Sequence, residues 1–203
     1  MAKIAVIYYS TYGHITKLTE SVVEGAKSTG AQVDLFQIPE TLSEEILAKQ
    51  HAIPRPDIPV ITGDKLEEYD GFIFGFPTRY GRAPAQVSAF FDSTGKQWAA
   101  GKLVGKCATV YTSVASQHGG LETTALTTMP FFIHHGIAYV PPGYSHPELT
   151  KLDEIIGGSA YGAGTVAGGD GSRQPVESDL NVAKHQGSYF AGFVNNLVAG
   201  KAK

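Results

Sequence analysis

The sequence predicts an α/β fold built on a doubly wound, five-stranded parallel sheet with helices on both faces. Three observations predict it. Five short apolar runs rich in β-branched and aromatic residues recur at 3–9, 32–38, 71–76, 106–113 and 137–141. They lack the strict polar alternation of a half-exposed strand, so they read as strands buried on both faces. Helical patterns follow them at 15–29, 43–49, 84–92, 121–134 and 176–198. Strand and helix alternating in this way give a parallel sheet covered on both sides.

The first strand, Lys3-Ile4-Ala5-Val6-Ile7-Tyr8-Tyr9, runs into the loop Ser10-Thr11-Tyr12-Gly13-His14-Ile15. Beyond it Ile15, Leu18, Val22, Val23 and Ala26 recur at helical spacing. A small polar loop between a parallel strand and a helix N-terminus collects unpaired N–H groups and the positive end of the helix dipole. This one carries hydroxyls and a glycine but no lysine or arginine, which suits a phosphate held by backbone dipoles. Plain capping by Ser10 or Thr11 explains the spacing equally well. The loop matches neither the nucleoside-triphosphate pattern nor the dinucleotide fingerprint.

The second strand leads to the short helix at 43–49. A connection at 50–63 follows, whose Pro54, Pro56 and Pro59 mark an extended surface excursion. The third strand ends in Pro77-Thr78-Arg79-Tyr80-Gly81-Arg82, and the helix at 84–92 comes next. The fourth strand carries the only cysteine, Cys107, in an apolar setting that reads as a buried structural thiol. It ends in Ser113-Val114-Ala115-Ser116-Gln117-His118-Gly119-Gly120. After the fifth strand comes the longest connection, 144–175, which is rich in glycine. Long ordered loops in a compact domain usually serve a site or an interface. Within it Gly162-Ala163-Gly164-Thr165-Val166-Ala167 fits G-x-G-x-x-A, but no strand precedes it and no amphipathic helix follows, so it is not read as a dinucleotide site.

Composition narrows the function classes. The 203 residues, 42% hydrophobic and 17% charged, describe one globular domain over 1–203. A net charge of −3 without a Lys/Arg cluster argues against nucleic acid, and against a strongly acidic electron-carrier surface. No run approaches the roughly 20 apolar residues that span a bilayer, and no signal-peptide or lipidation pattern is visible. The expected location is cytoplasmic, with peripheral membrane association left open. No metal is expected: the adjacent histidines His134 and His135 point about 100° apart on a helix, and no cysteine cluster exists.

Length and a single-strand phosphate loop select the flavodoxin-like sheet order 2-1-3-4-5. In such a sheet the loops after strands one, three and four converge at the carboxyl edge. The first can hold a phosphate; the other two offer aromatic faces, amide donors and glycines for close approach. A flat heteroaromatic ring tethered to a phosphate suits this set, and flavin mononucleotide (FMN) fits that description.

With these loops in view the chain resembles the WrbA-type NAD(P)H:quinone oxidoreductases of the flavodoxin-like family. The match is carried by Tyr8 to Ile15, Phe74-Gly75-Phe76-Pro77-Thr78-Arg79-Tyr80-Gly81, Thr94-Gly95-Lys96-Gln97-Trp98-Ala99, His134-His135-Gly136, and the run from Ala163 to Pro175. The resemblance implies an FMN enzyme of oxidative-stress protection, a homotetramer. It would take two electrons from NAD(P)H and reduce quinones to hydroquinones by ping-pong hydride transfer. It also implies a cofactor phosphate on Ser10, Thr11, Tyr12, Gly13, His14 and Ile15, with Thr78, Arg79 and Tyr80 along the ring. Ser113, Val114, Ala115, Ser116, Gly119 and Gly120 would take the ring's other side. His134 is implied as the catalytic and cofactor-contacting histidine, and Tyr12 and Trp98 as the aromatic substrate contacts. Without the resemblance His134 reads as a helix-end cation and Trp98 as an interface anchor.

The third loop departs from the family's Ser-Thr-Gly-Thr-Gly-Gly, being longer and without the early glycine. Tyr80 stands where phenylalanine is common, and Arg82 where asparagine is usual. The alternative raised by the altered loop is a flavodoxin-like stress protein with weak FMN binding and a regulatory or scaffolding role. A one-electron carrier is a third reading, disfavoured by the weak acidity.

Overall fold

The computed structural model describes residues 1–201. Its strands are β1 (Lys3–Tyr8), β2 (Gln32–Gln37), β3 (Gly71–Pro77), β4 (Cys107–Val114), β5 (Ala138–Tyr139) and β6 (Gly164–Val166). All pair in parallel, in the order β2-β1-β3-β4-β5, with β6 also on β4. The flavodoxin-like order expected from the sequence is the one observed.

The helices are α1 (His14–Lys27), α2 (Glu44–Lys49), α3 (Gly63–Leu66), α4 (Ala85–Asp92), α5 (Gly95–Ala99), α6 (Leu121–His134) and α7 (Glu177–Lys201). Side chains alternate across a strand, so β1 feeds two cores. Ile4, Val6 and Tyr8 pack with Leu18 and Val22 of α1 and Val182, Phe190 and Val194 of α7. On the opposite face Ala5 and Ile7 join Phe72, Phe74 and Phe76 of β3, Phe90 of α4 and Phe132 of α6.

Two expectations need correction. The fifth strand, expected over 137–141, shrinks to Ala138–Tyr139 and covers only the beginning of β4 at Cys107 and Ala108. Its other half is β6, which pairs with Thr112, Ser113 and Val114 at the end of β4. The long connection thus splits the fifth strand position in two and returns to the sheet's carboxyl edge. The short helices α3 and α5 were also not expected. Among the described residues no helix is long and apolar enough to cross a membrane.

Candidate functional site

A cleft of about 450 Å3 opens at the carboxyl edge of the sheet, a size typical of small-molecule sites. Its floor comes from Tyr12 and His14 after β1 and from Pro77, Thr78 and Arg79 at the end of β3. Ser113, Val114 and Ala115 form a second wall, and the segment from Ala167 to Gly171 after β6 forms a third. A small niche adjoins it, walled by Ser10, Thr11, Tyr12, His14 and Ile15.

The niche lies at the start of α1. Gly13 is the N-cap residue, at φ 90°, and no side chain caps the helix. That backbone angle favours glycine, and an added Cβ would also lie 3.2 Å from Ile53 Cδ1. The loop is braced internally: the Gly13 N–H donates to Ser10 Oγ at 3.1 Å, and the Ile53 N–H donates to the Thr11 carbonyl at 3.0 Å. The first-turn N–H groups of an α-helix have no intrahelical acceptor, and here they face the niche without a protein cap. Such a terminus attracts an anion.

A cation arrives from another loop. Arg79 donates to the Thr78 carbonyl at 2.9 Å and reaches Thr11 Oγ1 at 3.4 Å. Arg79 lines the cleft, and its guanidinium also reaches the anion loop. Sequence reading found no cation there because the charge comes from a segment 68 residues away. Behind the loop, the Tyr9 hydroxyl donates to Glu40 Oε2 at 3.0 Å. Burial pushes the Glu40 pKa up, but N–H donors from Leu42 and Thr41, with Gln86 and Tyr9, outweigh it and hold the carboxyl below its usual value.

The third loop is held close to the second. The Thr78 N–H donates to the Ser113 carbonyl at 2.9 Å, and Thr78 Oγ1 lies 2.8 Å from Thr124 Oγ1 of α6. Ala115 lines the cleft, whereas Ser116 is exposed and Gly119 and Gly120 shape the turn into α6 without lining the cleft. Tyr80 stands fully exposed at the tip of a two-residue hairpin closed by Arg79 and Arg82. Tyr12 is half exposed at the mouth.

His134 and Trp98 lie elsewhere in the molecule. The start of α6 faces the site, and His134 closes its far end, about 20 Å along the axis for 14 residues at 1.5 Å each. Trp98, on α5, is exposed at that same end, where Thr94 and His135 are 2.9 Å apart. Sequence reading places Pro77 in a converging loop and the Ala167 to Gly171 segment in the resemblance, but gives neither a contact in the site. Glycine richness marked the latter as functional without saying that β6 would deliver it to the cleft.

A doubly wound sheet with an uncapped helix N-terminus, an arginine and a three-walled cleft at its switch point defines a flavodoxin-like mononucleotide-binding protein. The chain belongs to the family described as NADPH-dependent FMN reductase, which matches residues 2–148. It is 51% identical over 197 residues to a quinone oxidoreductase of Triphysaria versicolor, covering 96% of each chain. It is 48% identical to an NAD(P)H dehydrogenase (quinone) of Sinorhizobium fredii, covering 97% of this chain and 99% of that one. Among solved structures, a WrbA-like flavodoxin from Agrobacterium tumefaciens superimposes with a TM-score of 0.67 at 25% identity, covering 97% and 99% of the two chains.

Proposed function

We propose that this chain is an FMN-dependent NAD(P)H:quinone oxidoreductase, reducing quinones to hydroquinones by a two-electron, ping-pong reaction in one cleft. The observation that carries this reading is the convergence of an uncapped α1 N-terminus and the Arg79 guanidinium at one end of that cleft. The relatives named above, about half identical over nearly their whole length, act on quinones by their names. When bound, FMN supplies the redox chemistry, accepting a hydride from NAD(P)H and passing two electrons to the quinone.

The protein's residues bind and orient. The N–H groups of His14 and Ile15, the hydroxyls of Ser10 and Thr11, and Arg79 fit a phosphate: donors and a cation, with no carboxylate lining the niche. Thr78, Ser113, Val114 and Ala115 fit the edge and face of a flat ring, since Pro77 and the wall behind them are largely apolar. Tyr12, half exposed at the mouth, offers an aromatic face to the nicotinamide or the quinone.

Trp98 and His134 serve the reaction in a homotetramer. Each is too far from its own cleft, and both sit on an exposed apolar end that includes Val104 and Ile133, 67% and 71% exposed. That end is the proposed subunit contact, through which Trp98 and His134 reach a neighbouring cleft; His134 there would hydrogen-bond or protonate a quinone oxygen. Tyr80, at the rim, is available to the same shared site. The cytoplasm suits a chain whose one thiol, Cys107, is buried and has its pKa pushed up by that burial.

Steady-state NAD(P)H oxidation by benzoquinone with FMN-loaded protein tests the reading. Parallel double-reciprocal lines, from particles of four-chain mass by sedimentation, are the expected result. Intersecting lines would exclude the ping-pong scheme, and a monomer with full activity would remove the assembly role of Trp98 and His134.

A further inference from the structure

The third wall of the cleft has no regular structure of its own beyond β6. What holds it is a buried carboxylate at the start of the next helix. Asp179, in the first turn of α7, is 2% exposed. Its Oδ1 accepts from the Gly157 N–H at 3.2 Å. Its Oδ2 accepts from Thr165 Oγ1 at 2.8 Å, Arg173 Nη1 at 3.2 Å and the Val176 N–H at 3.3 Å. One carboxylate thus ties three points of the long connection to the residue that leads into α7. The position also suits a negative charge, because the helix N-terminus is the positive end of its dipole.

Arg173 passes that restraint on to the cleft. Its Nη1 also donates to the Val166 carbonyl at 2.7 Å, and its Nη2 to the Ile155 carbonyl at 3.2 Å. Its backbone N–H closes the wall by donating to the Ala167 carbonyl at 2.9 Å. Its own carbonyl lies 3.1 Å from His14 Nε2. A carbonyl only accepts, so Nε2 carries the proton and the His14 ring is oriented by this contact. His14 lines both the cleft and the anion niche. Arg173 is therefore a hub: its side chain is set by Asp179, its backbone shapes the Ala167 to Gly171 wall, and its carbonyl sets a residue of the anion loop.

We infer that Asp179 is a positioning residue for the cofactor cleft, acting through Arg173 on both the third wall and His14. This rests on the reading of the cleft as an FMN site. Asp179 touches no ligand itself. Removing its charge while keeping its shape leaves the partly exposed Arg173 without its anionic partner, and the wall and His14 lose their common anchor.

The test is a thermodynamic cycle on FMN affinity, read by quenching of flavin fluorescence in apoprotein, with Asp179→Asn, Arg173→Gln and the double variant. Amide hydrogen exchange over 167–173 in the apoproteins supplies a readout independent of the flavin. Each single variant is expected to weaken FMN binding about tenfold or more, as supports behind a binding group commonly do. The double variant should be no weaker than the worse single one, since both act through one contact. Exchange over 167–173 should speed up in both singles. Should Asp179→Asn not fold, Arg173→Gln, at a partly exposed side chain, carries the same two readouts alone. Affinity within about twofold of the parent, or additive losses in the cycle, would overturn the inference. Failure of the parent chain itself to take up FMN would instead overturn the functional reading on which it rests.

Discussion

Tyr80 has a φ of 55° and is fully exposed. A side chain in this left-handed region costs about 1–2 kcal/mol, and asparagine tolerates it better. Tyr80→Asn should therefore raise stability to urea by about 1 kcal/mol, while lowering quinone turnover if the exposed ring serves the shared site. A loss of stability would show that the ring makes contacts the fold depends on. His135 illustrates a second residue-scale effect. The Thr94 hydroxyl gives its one proton to the Phe91 carbonyl at 2.6 Å, so His135 Nε2–H must donate to Thr94 Oγ1 at 2.9 Å. Its Nδ1 is buried with no partner among the described residues, and burial, then the neighbouring His134, push its pKa below the ordinary value of 6.5. The unfolded chain then takes up a proton that the folded chain refuses, so stability is full above pH 6.5 and falls as pH drops below it. Thermal melts from pH 7.5 towards 5.5 should show this decline, and His135→Gln should flatten part of it. An unchanged profile in that variant would remove His135 as the source.

At the scale of elements, the helices α1 and α7 pack backbone against backbone. Gly187 of α7 lies so near α1 that an added Cβ would stand 2.1 Å from the Val22 carbonyl oxygen. Backbone cannot yield as a side-chain tip can, so Gly187→Ala should cost about 3 kcal/mol or prevent folding. A cost below about 1 kcal/mol would mean that the helices separate freely. The elements also show what a sequence can reveal. The β1–loop–α1 unit was legible because strand, loop and helix are local patterns, and α6 was read with its observed ends, Leu121 and His134. By contrast β6 is three residues long and is a strand only because β4 presents a free edge to it. The direction of Arg79 was hidden for a similar reason: its partner Thr11 is near only once β1 and β3 are paired. The altered third loop illustrates the converse. Its inserted residues Ser116, Gln117 and His118 are exposed, whereas Val114 and Ala115, the latter in place of the early glycine, wall the cleft with Ser113.

At the scale of the molecule, the sheet gathers a phosphate-type niche and three walls at one edge and leaves an apolar surface with Trp98, Val104 and Ile133 at the other. Exposed apolar patches of this kind mark interaction surfaces, and this one is the proposed subunit contact. The most direct test is an anaerobic visible spectrum of the chain after addition of FMN and removal of the excess. Flavin absorbance should remain with the protein, bleach on adding NAD(P)H without any quinone, and return in full on adding benzoquinone. A chain that retains no flavin, or whose bound flavin bleaches only when quinone is already present, would contradict the account.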